Sequence, residues 1–312
     1  MRTLATVVFL VVVALLPLAV PWLQFVFTLA LAHGLGALGV ALLLRAGLIS
    51  LGHATYYALG AYTTAYLSSR VGVTDFVLLS LSAALVAGAV GALVGMFMVR
   101  YRSIFFAMLN LAVSMILFAF LAKFYSWTGG TDGMRVATPT LFGAVFEREV
   151  FGNILFYGVL VIVAVVSVVV TRYLESSMGQ ALSAVHTNEV RLEYLGISVS
   201  RVLLSAYALS AALAGLGGAI GGIAIGHVVP EMAYWTGSGH LVLVAVLGGI
   251  GGVLGPFIGS VFLEMVHIFA VGYAVEVWNL IVGVALLLVI FFLPQGLYGL
   301  TARFVPRKEA AE

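Results

Sequence analysis

Long apolar segments separated by short polar ones run through almost the whole chain. Several of them exceed the roughly 20 residues that a helix needs to cross a bilayer. They predict ten membrane-spanning helices, at residues 3–23, 24–44, 46–68, 76–99, 103–122, 150–171, 201–227, 235–252, 256–274 and 277–293. Five precede the polar stretch 123–149 and five follow it, so an internal repeat would have to be inverted. The expected fold is therefore an all-α polytopic transmembrane bundle of two inverted five-helix halves, forming a single domain over 1–312.

Glycines interrupt two stretches of these predicted helices, residues 45–62 and 247–259, and the second also contains Pro256. A helix break at membrane depth leaves amide and carbonyl groups unpaired, which is tolerated only inside protein or beside a wet cavity. The two segments therefore point to a translocation path. Close helix packing is the alternative reading, because pairs such as Gly91 and Gly95 have the small-xxx-small spacing of packed helices.

Polar residues in or near the first broken segment are the candidates for lining this path: Gly52, His53, Tyr56, Tyr57 and Asn110. Polar groups inside a bilayer are costly and usually face the bundle interior or a wet cavity. His33 and His240 are interpreted instead as polar groups in helix packing. Glu264 and His267, one helical turn apart, stay open between a functional site and a local hydrogen bond. A metal there is not favoured, because a second such pair is missing.

The positive charges indicate which connections face the cytoplasm. With the N-terminus inside, ten of the fourteen lysines and arginines are cytoplasmic: Arg2, Arg45, Arg100, Arg102, Arg172, Arg191, Arg201, Arg303, Arg307 and Lys308. The other four, Arg70, Lys123, Arg135 and Arg148, fall outside. This asymmetry follows the positive-inside rule. It predicts an external loop at 123–149, a cytoplasmic loop at 172–200 and a cytoplasmic tail at 303–312.

The cytoplasmic loop is the one sizeable polar segment with helical pattern. Ser177 and Gln180 have the spacing of a capping box, and Gly196 supplies a glycine stop. Ala181, Ala184, Val185, Leu192 and Leu195 recur at helical spacing and form one narrow apolar face. This pattern predicts a rigid pair of short helices that docks a soluble partner. The alternative is an ordinary loop that packs its apolar face onto the bundle.

The candidate docking residues in this loop are Gly179, Ala184, Val185, Asn188, Glu189, Leu195 and Gly196. Gly179 and Ala184 are small, which would permit close approach of a partner. Asn188 and Glu189 either cap the second short helix or hydrogen-bond the partner.

Composition narrows the class further. The chain is 63% hydrophobic and only 8% charged, with a mean hydropathy of +1.20, which excludes a soluble domain of this length. A net charge of +2 without a basic run does not indicate nucleic acid, and the absence of cysteine excludes disulfides and thiolate metal sites. No glycine precedes Lys123 or Lys308, so the chain has no Walker A loop for ATP.

Several segments carry motifs in a consistent order. Residues 44–62 are similar to G-x-x-S-L-G-H-A-x-F-x-x-x-G-A-Y, and residues 102–112 to R-G-x-Y-F-A-x-x-T-L-A, with Asn110 replacing the usual threonine. Residues 128–134, 179–197, 248–256 and 293–297 continue the series. Together they resemble the branched-chain amino acid ABC transporter permease family, in its LivM-type subunit. Gln180 and His186 stand where that family usually has arginines, so this loop is less basic.

The resemblance implies a permease subunit of an ABC importer for branched-chain or related amino acids, in a prokaryotic cytoplasmic (inner) membrane. The implied partners are a second, LivH-like permease, two ATPase subunits and an external or periplasmic substrate-binding protein. It also implies that ATP and Mg²⁺ bind the ATPase subunits, while this chain binds no cofactor or metal and is not itself an enzyme.

Three other readings stay open. The same family also includes importers of urea, amides and small organic acids. An ion-coupled secondary transporter would share the inverted repeats but would need carboxylates at the membrane midplane, for which Glu264 is the one candidate. A channel or membrane scaffold would need no cytoplasmic dock.

Overall fold

The computed structural model describes residues 2–141, 143–144, 146–273, 277–293 and 295–299, and most of them are helical. The helices are α1 Arg2–Ala19, α2 Leu23–Arg45, α3 His53–Tyr66, α4 Phe76–Met98, α5 Ser103–Lys123, α6 Tyr125–Thr128, α7 Arg148–Glu175, α8 Ser177–Thr187, α9 Glu189–Tyr194, α10 Val199–Ile225, α11 Trp235–Gly248, α12 Gly255–Tyr273 and α13 Trp278–Phe292. A π-helix, Leu67–Val71, continues α3, and 3₁₀ turns cover Gly130–Asp132 and Pro230–Ala233. The predicted tail 303–312 lies outside the described residues.

Each predicted span contains one of these helices, and the result is a polytopic all-α bundle. Six helices of the described chain are long and apolar enough to cross a membrane: α2, α4, α5, α7, α10 and α12. In the other four predicted spans the helices α1, α3, α11 and α13 are shorter. The fold also contains a structure that the pattern did not predict, a two-stranded antiparallel sheet that joins β1 Met134–Arg135, in the 123–149 loop, to β2 His227–Val228, after α10.

Three predicted spans were drawn too long. The first, 3–23, runs past the end of α1 at Ala19, and the other two errors fall in the glycine-broken segments. Residues 46–52 are not helical, so the third span begins at His53, and residues 249–254 separate α11 from α12. Gly47 and Gly249 have φ of +75° and +91°. A residue with a side chain adopts such angles only with strain, so glycine permits the chain to turn there.

The centre of the bundle is the antiparallel pair α2 and α10. In the apolar core of α2, 89% of the residues are buried, against 28% for α4 and 22% for α5 at the periphery. The α2 and α10 backbones approach closely where Gly39 faces Ser210, because a Cβ on Gly39 would lie 2.5 Å from the Ser210 carbonyl oxygen. The small-residue spacing in the sequence therefore reflects real helix contacts.

The polar connections gather at two opposite ends of the bundle. At one end, β1 pairs with β2, Asp75 bridges to Thr140, and the Arg70 guanidinium donates to the Ser126 carbonyl. At the other end, the connection 46–52 packs against the 172–200 loop. The charge asymmetry predicts that the first of these ends is external and the second cytoplasmic.

Candidate functional site

A network of buried polar side chains joins α3 to α5 and α10. His53 contacts Ser50 Oγ through Nδ1 at 2.8 Å and Ser210 through Nε2. The Tyr56 and Tyr207 hydroxyls lie 2.9 Å apart, and Tyr207 donates to the Asn110 side-chain oxygen. We call these six residues the polar network: Ser50, His53, Tyr56, Asn110, Tyr207 and Ser210. All of them are at most 1% exposed.

The hydrogen-bond directions in the polar network are mutually consistent. The Ser210 hydroxyl donates to the Gly39 carbonyl at 2.6 Å, so its oxygen is left to accept from His53 Nε2–H. Nδ1 then accepts from Ser50, and Tyr207, whose proton goes to Asn110, accepts from Tyr56. Asn110 in turn donates to the Phe106 carbonyl at 2.8 Å. A neutral imidazole therefore satisfies every partner, and the network holds the start of α3 rigidly against α5 and α10.

The structure thus brings together the residues predicted to line the path, but in two different settings. His53, Tyr56 and Asn110 have their polar groups paired inside the protein. Gly52 is buried against the backbone of Asn110. A Cβ on Gly52 would lie 2.5 Å from the Asn110 carbonyl oxygen. Tyr57, one residue beyond Tyr56, lines a cavity.

That cavity has a volume of about 290 Å³, and two carboxylates, Glu231 and Glu264, are among its lining residues. Its polar lining consists of His33, Tyr57, Glu231, His240, Glu264 and His267. Ile225, Met232, Leu241, Leu263 and Val282 supply most of the apolar wall. Because Glu231 belongs to the turn between β2 and α11, the cavity lies towards the end of the bundle that carries the sheet. We call it the charged cavity.

The Glu264 carboxylate is the centre of the charged cavity. Its Oε1 lies 3.3 Å from His33 Nδ1, and its Oε2 lies 3.6 Å from His267 Nδ1. The His33 ring stacks on Tyr57 and meets the His240 ring edge-on, with ring centres 5.6 and 5.3 Å apart. Among the described residues, the buried His33 Nδ1 has no partner with the angles of a hydrogen bond. The ionisable groups of this cavity therefore lie close together, but the hydrogen-bonding capacity of His33 is not fully used.

The sequence pattern did not predict that the four ionisable groups His33, His240, Glu264 and His267 lie together in the fold. It linked Glu264 to His267 by helical spacing but assigned His33 and His240 to packing. The signal it had was the presence of four ionisable groups in apolar segments, which is unusual in itself. It had no means of placing α2 beside α12, where Ser260 donates to the Ala30 carbonyl. In the described residues no metal-binding cluster is found.

The 172–200 loop forms two short helices with well-defined ends. Ser176, not Ser177, caps α8 by accepting from the Gly179 amide at 3.4 Å. The predicted capping box is therefore wrong, and Gln180 instead donates to the Glu175 carbonyl at 3.3 Å.

The second short helix, α9, is capped at both ends. Asn188 accepts from the Arg191 amide at 3.0 Å, so Asn188 is the N-cap residue. At the C-terminal end, the Gly196 and Ile197 amides donate to Glu193 and Leu192, which is the bonding pattern of a Schellman motif.

The two short helices are fastened to the starts of α3 and α5. Ala181, Leu182 and Val185 pack in one apolar cluster with Ala46 and Leu48, just before α3. On α9, the Glu189 carboxylate receives Arg102 Nε at 2.6 Å and Nη2 at 3.2 Å, and Arg102 directly precedes α5. Movement of α8 and α9 would therefore act on the same two helices that the polar network joins.

Several predicted docking residues face this chain itself. Gly179 is buried against the end of α7, where a Cβ would overlap the Leu174 backbone, and Ala184 and Val185 belong to the packed cluster. Of the predicted apolar face, Ala181, Val185 and Leu192 are buried, whereas Leu195 is 71% exposed. Four exposed apolar side chains lie on or directly after α8 and α9, and we call them the exposed edge: Met178, Val190, Tyr194 and Leu195. Gly196 has φ of +78° and ends the helix.

Comparison with known proteins gives a consistent picture. The family described as "Branched-chain amino acid transport system / permease component" matches residues 22–291. The chain is 30% identical to the high-affinity branched-chain amino acid transport system permease protein LivM of Escherichia coli K12, over 97% of this chain and 77% of that protein. It is 30% identical to LivM of Salmonella typhimurium, over 94% and 75%. It is 27% identical to LivH of E. coli K12, over 87% and 92%. No solved structure matches significantly.

Proposed function

This chain belongs to the branched-chain amino acid transport permease family, and from that premise we propose that it is one transmembrane subunit of an ABC importer for branched-chain or related amino acids. Its partners are a LivH-like permease, two ATPase subunits that bind ATP and Mg²⁺, and an external substrate-binding protein. Relatives of both the LivM and the LivH kind support a pair of different permeases. Family membership speaks against the ion-coupled secondary transporter and the channel.

We further propose a single domain of ten spans in two inverted halves, with both termini in the cytoplasm of a prokaryotic inner membrane. Two features of the fold support it. The third predicted span of each half contains a helix of 14 residues, α3 or α11. Each follows a segment without α-helix, 46–52 or 226–234, and these lie at opposite ends of the bundle. Such paired interruptions are a feature of inverted-repeat transporters.

The observation that carries the function is the attachment of α8 and α9 to the starts of α3 and α5. A soluble ATPase that pulls on the two helices would move connection 46–52 through Leu48 and α5 through Arg102. The polar network then passes this movement to Tyr57 in the charged cavity. Of the five predicted path residues, Tyr57 faces the path, and Gly52, His53, Tyr56 and Asn110 hold the helices that frame it.

The exposed edge is the part of this element that an ATPase subunit contacts. Its four side chains are 41–88% exposed, and two of them, Tyr194 and Met178, are of residue types that are enriched in protein interfaces. The small, buried Gly179 instead provides the tight junction with α7.

The test uses membrane vesicles that contain both permeases. ATPase subunits should bind inside-out vesicles and leave right-side-out vesicles unoccupied. Leu195→Asp should weaken this binding about tenfold, because a charge replaces an apolar anchor in a desolvated interface. Ala137→Asp, exposed at the opposite end, serves as the control. Full binding and substrate-stimulated ATP hydrolysis by Leu195→Asp would refute the docking assignment, and binding to right-side-out vesicles would refute the orientation.

A further inference from the structure

The charged cavity holds a carboxylate and histidines at the depth of apolar helices, with one side open. The Glu264 side chain is 11% exposed, His33 28% and His267 41% in the isolated chain. Lipid cannot hydrate such groups, so intramembrane ionisable residues face a bundle interior or a water-filled route. The open side, where α12 and α13 meet at His267 and Val282, therefore faces the partner permease or the space between the two subunits.

The charges of the lining restrict what can enter. Two carboxylates, Glu231 at the mouth and Glu264 inside, line the cavity, and its described lining includes neither lysine nor arginine. A small organic anion would meet both carboxylates without a fixed cation to balance it. A zwitterion brings its own cation, and the imidazole N–H groups of His33 and His240 offer donors for its carboxylate.

The apolar wall restricts the ligand further. A volume of about 290 Å³ lies near the lower end of small-molecule sites, which start at about 300 Å³. Leu241, Leu263 and Val282 supply apolar wall in the same space that His33 and Glu264 line with polar groups. Urea or a short amide would leave this wall uncovered, whereas an aliphatic side chain would pack on it.

We propose that the charged cavity is a transit site for a zwitterionic amino acid with an aliphatic side chain, taken up on its way through the permease. Glu264 binds the ammonium group, and the imidazoles of His33 and His240 bind the carboxylate. The role in import rests on the function proposed above, while the binding chemistry rests on the cavity alone.

The experiment uses the assembled transporter in lipid nanodiscs and a leucine analogue with a photoreactive diazirine in its side chain. Mass spectrometry should locate the label on the cavity wall, at Met232, Leu241, Leu263 or Val282. Excess leucine should remove the label, whereas isocaproate, the same chain without an ammonium group, should not. Because this competition uses the unaltered chain, it decides the matter without any substitution.

Glu264→Gln keeps the shape and removes the charge, and it should reduce the label about tenfold or more. Glu147→Gln, an exposed carboxylate in the external loop, is the matched control and should label like the unaltered chain. Label outside the cavity, equal competition by isocaproate, or full label on Glu264→Gln would each overturn the site.

Substrate-stimulated ATP hydrolysis, measured on the same nanodiscs, separates the two proposals. Label in the cavity without coupled hydrolysis would contradict the importer function and leave the site standing. Coupled hydrolysis with no label in the cavity would contradict the site and leave the function standing.

Discussion

The polar network and the charged cavity adjoin on α3, where the neighbouring residues Tyr56 and Tyr57 belong to one and the other, yet the two regions differ in almost every physical respect. The network is fully buried and uncharged, and its donors and acceptors are paired within the chain. The cavity contains carboxylates, is partly open, and leaves a buried nitrogen of His33 without a well-aligned partner among the described residues.

This difference shows that a polar residue inside an apolar helix does not by itself mark a transport route. A buried group whose hydrogen bonds are complete contributes rigidity, because breaking any of them leaves an expensive unsatisfied partner. A group with bonding capacity left over beside a cavity is available to a ligand. The two regions should therefore respond to substitution in opposite ways, one in stability and the other in transport.

The largest effect is expected for His53→Leu in the polar network. It leaves Ser50 and Ser210 each short of a buried partner, and an unsatisfied buried group costs about 1–3 kcal/mol. The free energy of unfolding of the solubilised permease should therefore fall by about 2 kcal/mol or more, as followed by thermal unfolding. His267→Leu, at the half-exposed rim of the cavity, is the control and should unfold near the normal temperature.

Transport of the same two variants sharpens this result. If His53→Leu unfolds normally yet has lost uptake, then His53 lines the path, as the sequence pattern predicts, and the contrast between the regions disappears.

A smaller effect, on transport rather than stability, is expected when the cavity is filled. Val282 lies in the cavity wall on α13, and Val282→Trp would occupy much of the 290 Å³. Leucine uptake by reconstituted transporter should fall about tenfold, since misfit in an apolar site costs about 1–3 kcal/mol. Val284→Trp, on the 47% exposed part of the same helix, should transport normally. Equal uptake by both tryptophan variants would remove the cavity from the path.

The smallest effect comes from a pair of neighbouring hydroxyls. Tyr56→Phe deletes the hydroxyl that donates to Tyr207, and one hydrogen bond contributes about 1 kcal/mol to stability. Thermal unfolding should detect this loss, while Tyr57→Phe, outside the network, should unfold closer to the unaltered chain. A greater loss of stability for Tyr57→Phe would reverse the assignment of the two regions.

Much of the fold was predictable because it follows from local regularities. Each of the ten apolar runs that predicted a span coincides with a helix of the structure. The glycine-rich segments correctly indicated the interruptions at 46–52 and 249–254. Predictions failed where one residue decides the outcome. Ser176 rather than Ser177 caps α8, because Ser177 already belongs to the helix. Leu195 is the C-cap residue of α9, where the chain leaves the helix through a Schellman motif, and its side chain turns outwards.

The candidate sites were only partly predictable. The sequence pattern identified the polar residues of α3 and the two short helices of the 172–200 loop. It attributed the small Gly179 to contact with a partner, whereas in the structure Gly179 packs against the end of α7. Glu189 was left between two roles, and its ion pair with Arg102 joins residues far apart in sequence. The sequence pattern did not predict the exposed edge. Which side chains are exposed depends on which face α8 and α9 turn towards the bundle.

The sequence by itself determined the membrane class, the family and the positions of the helices, and it predicts the sides on which their connections lie. These properties depend on composition and on the spacing of apolar and charged residues within about 20 positions, and both can be read directly from the sequence. Only the tertiary structure decided that His53 meets Ser210, 157 residues away, and that His33 meets Glu264 across α2 and α12. The reason is that such pairings depend on how each helix is rotated and where it crosses its neighbour. Those quantities are set by small-residue contacts such as Gly39 with Ser210, summed over the whole bundle.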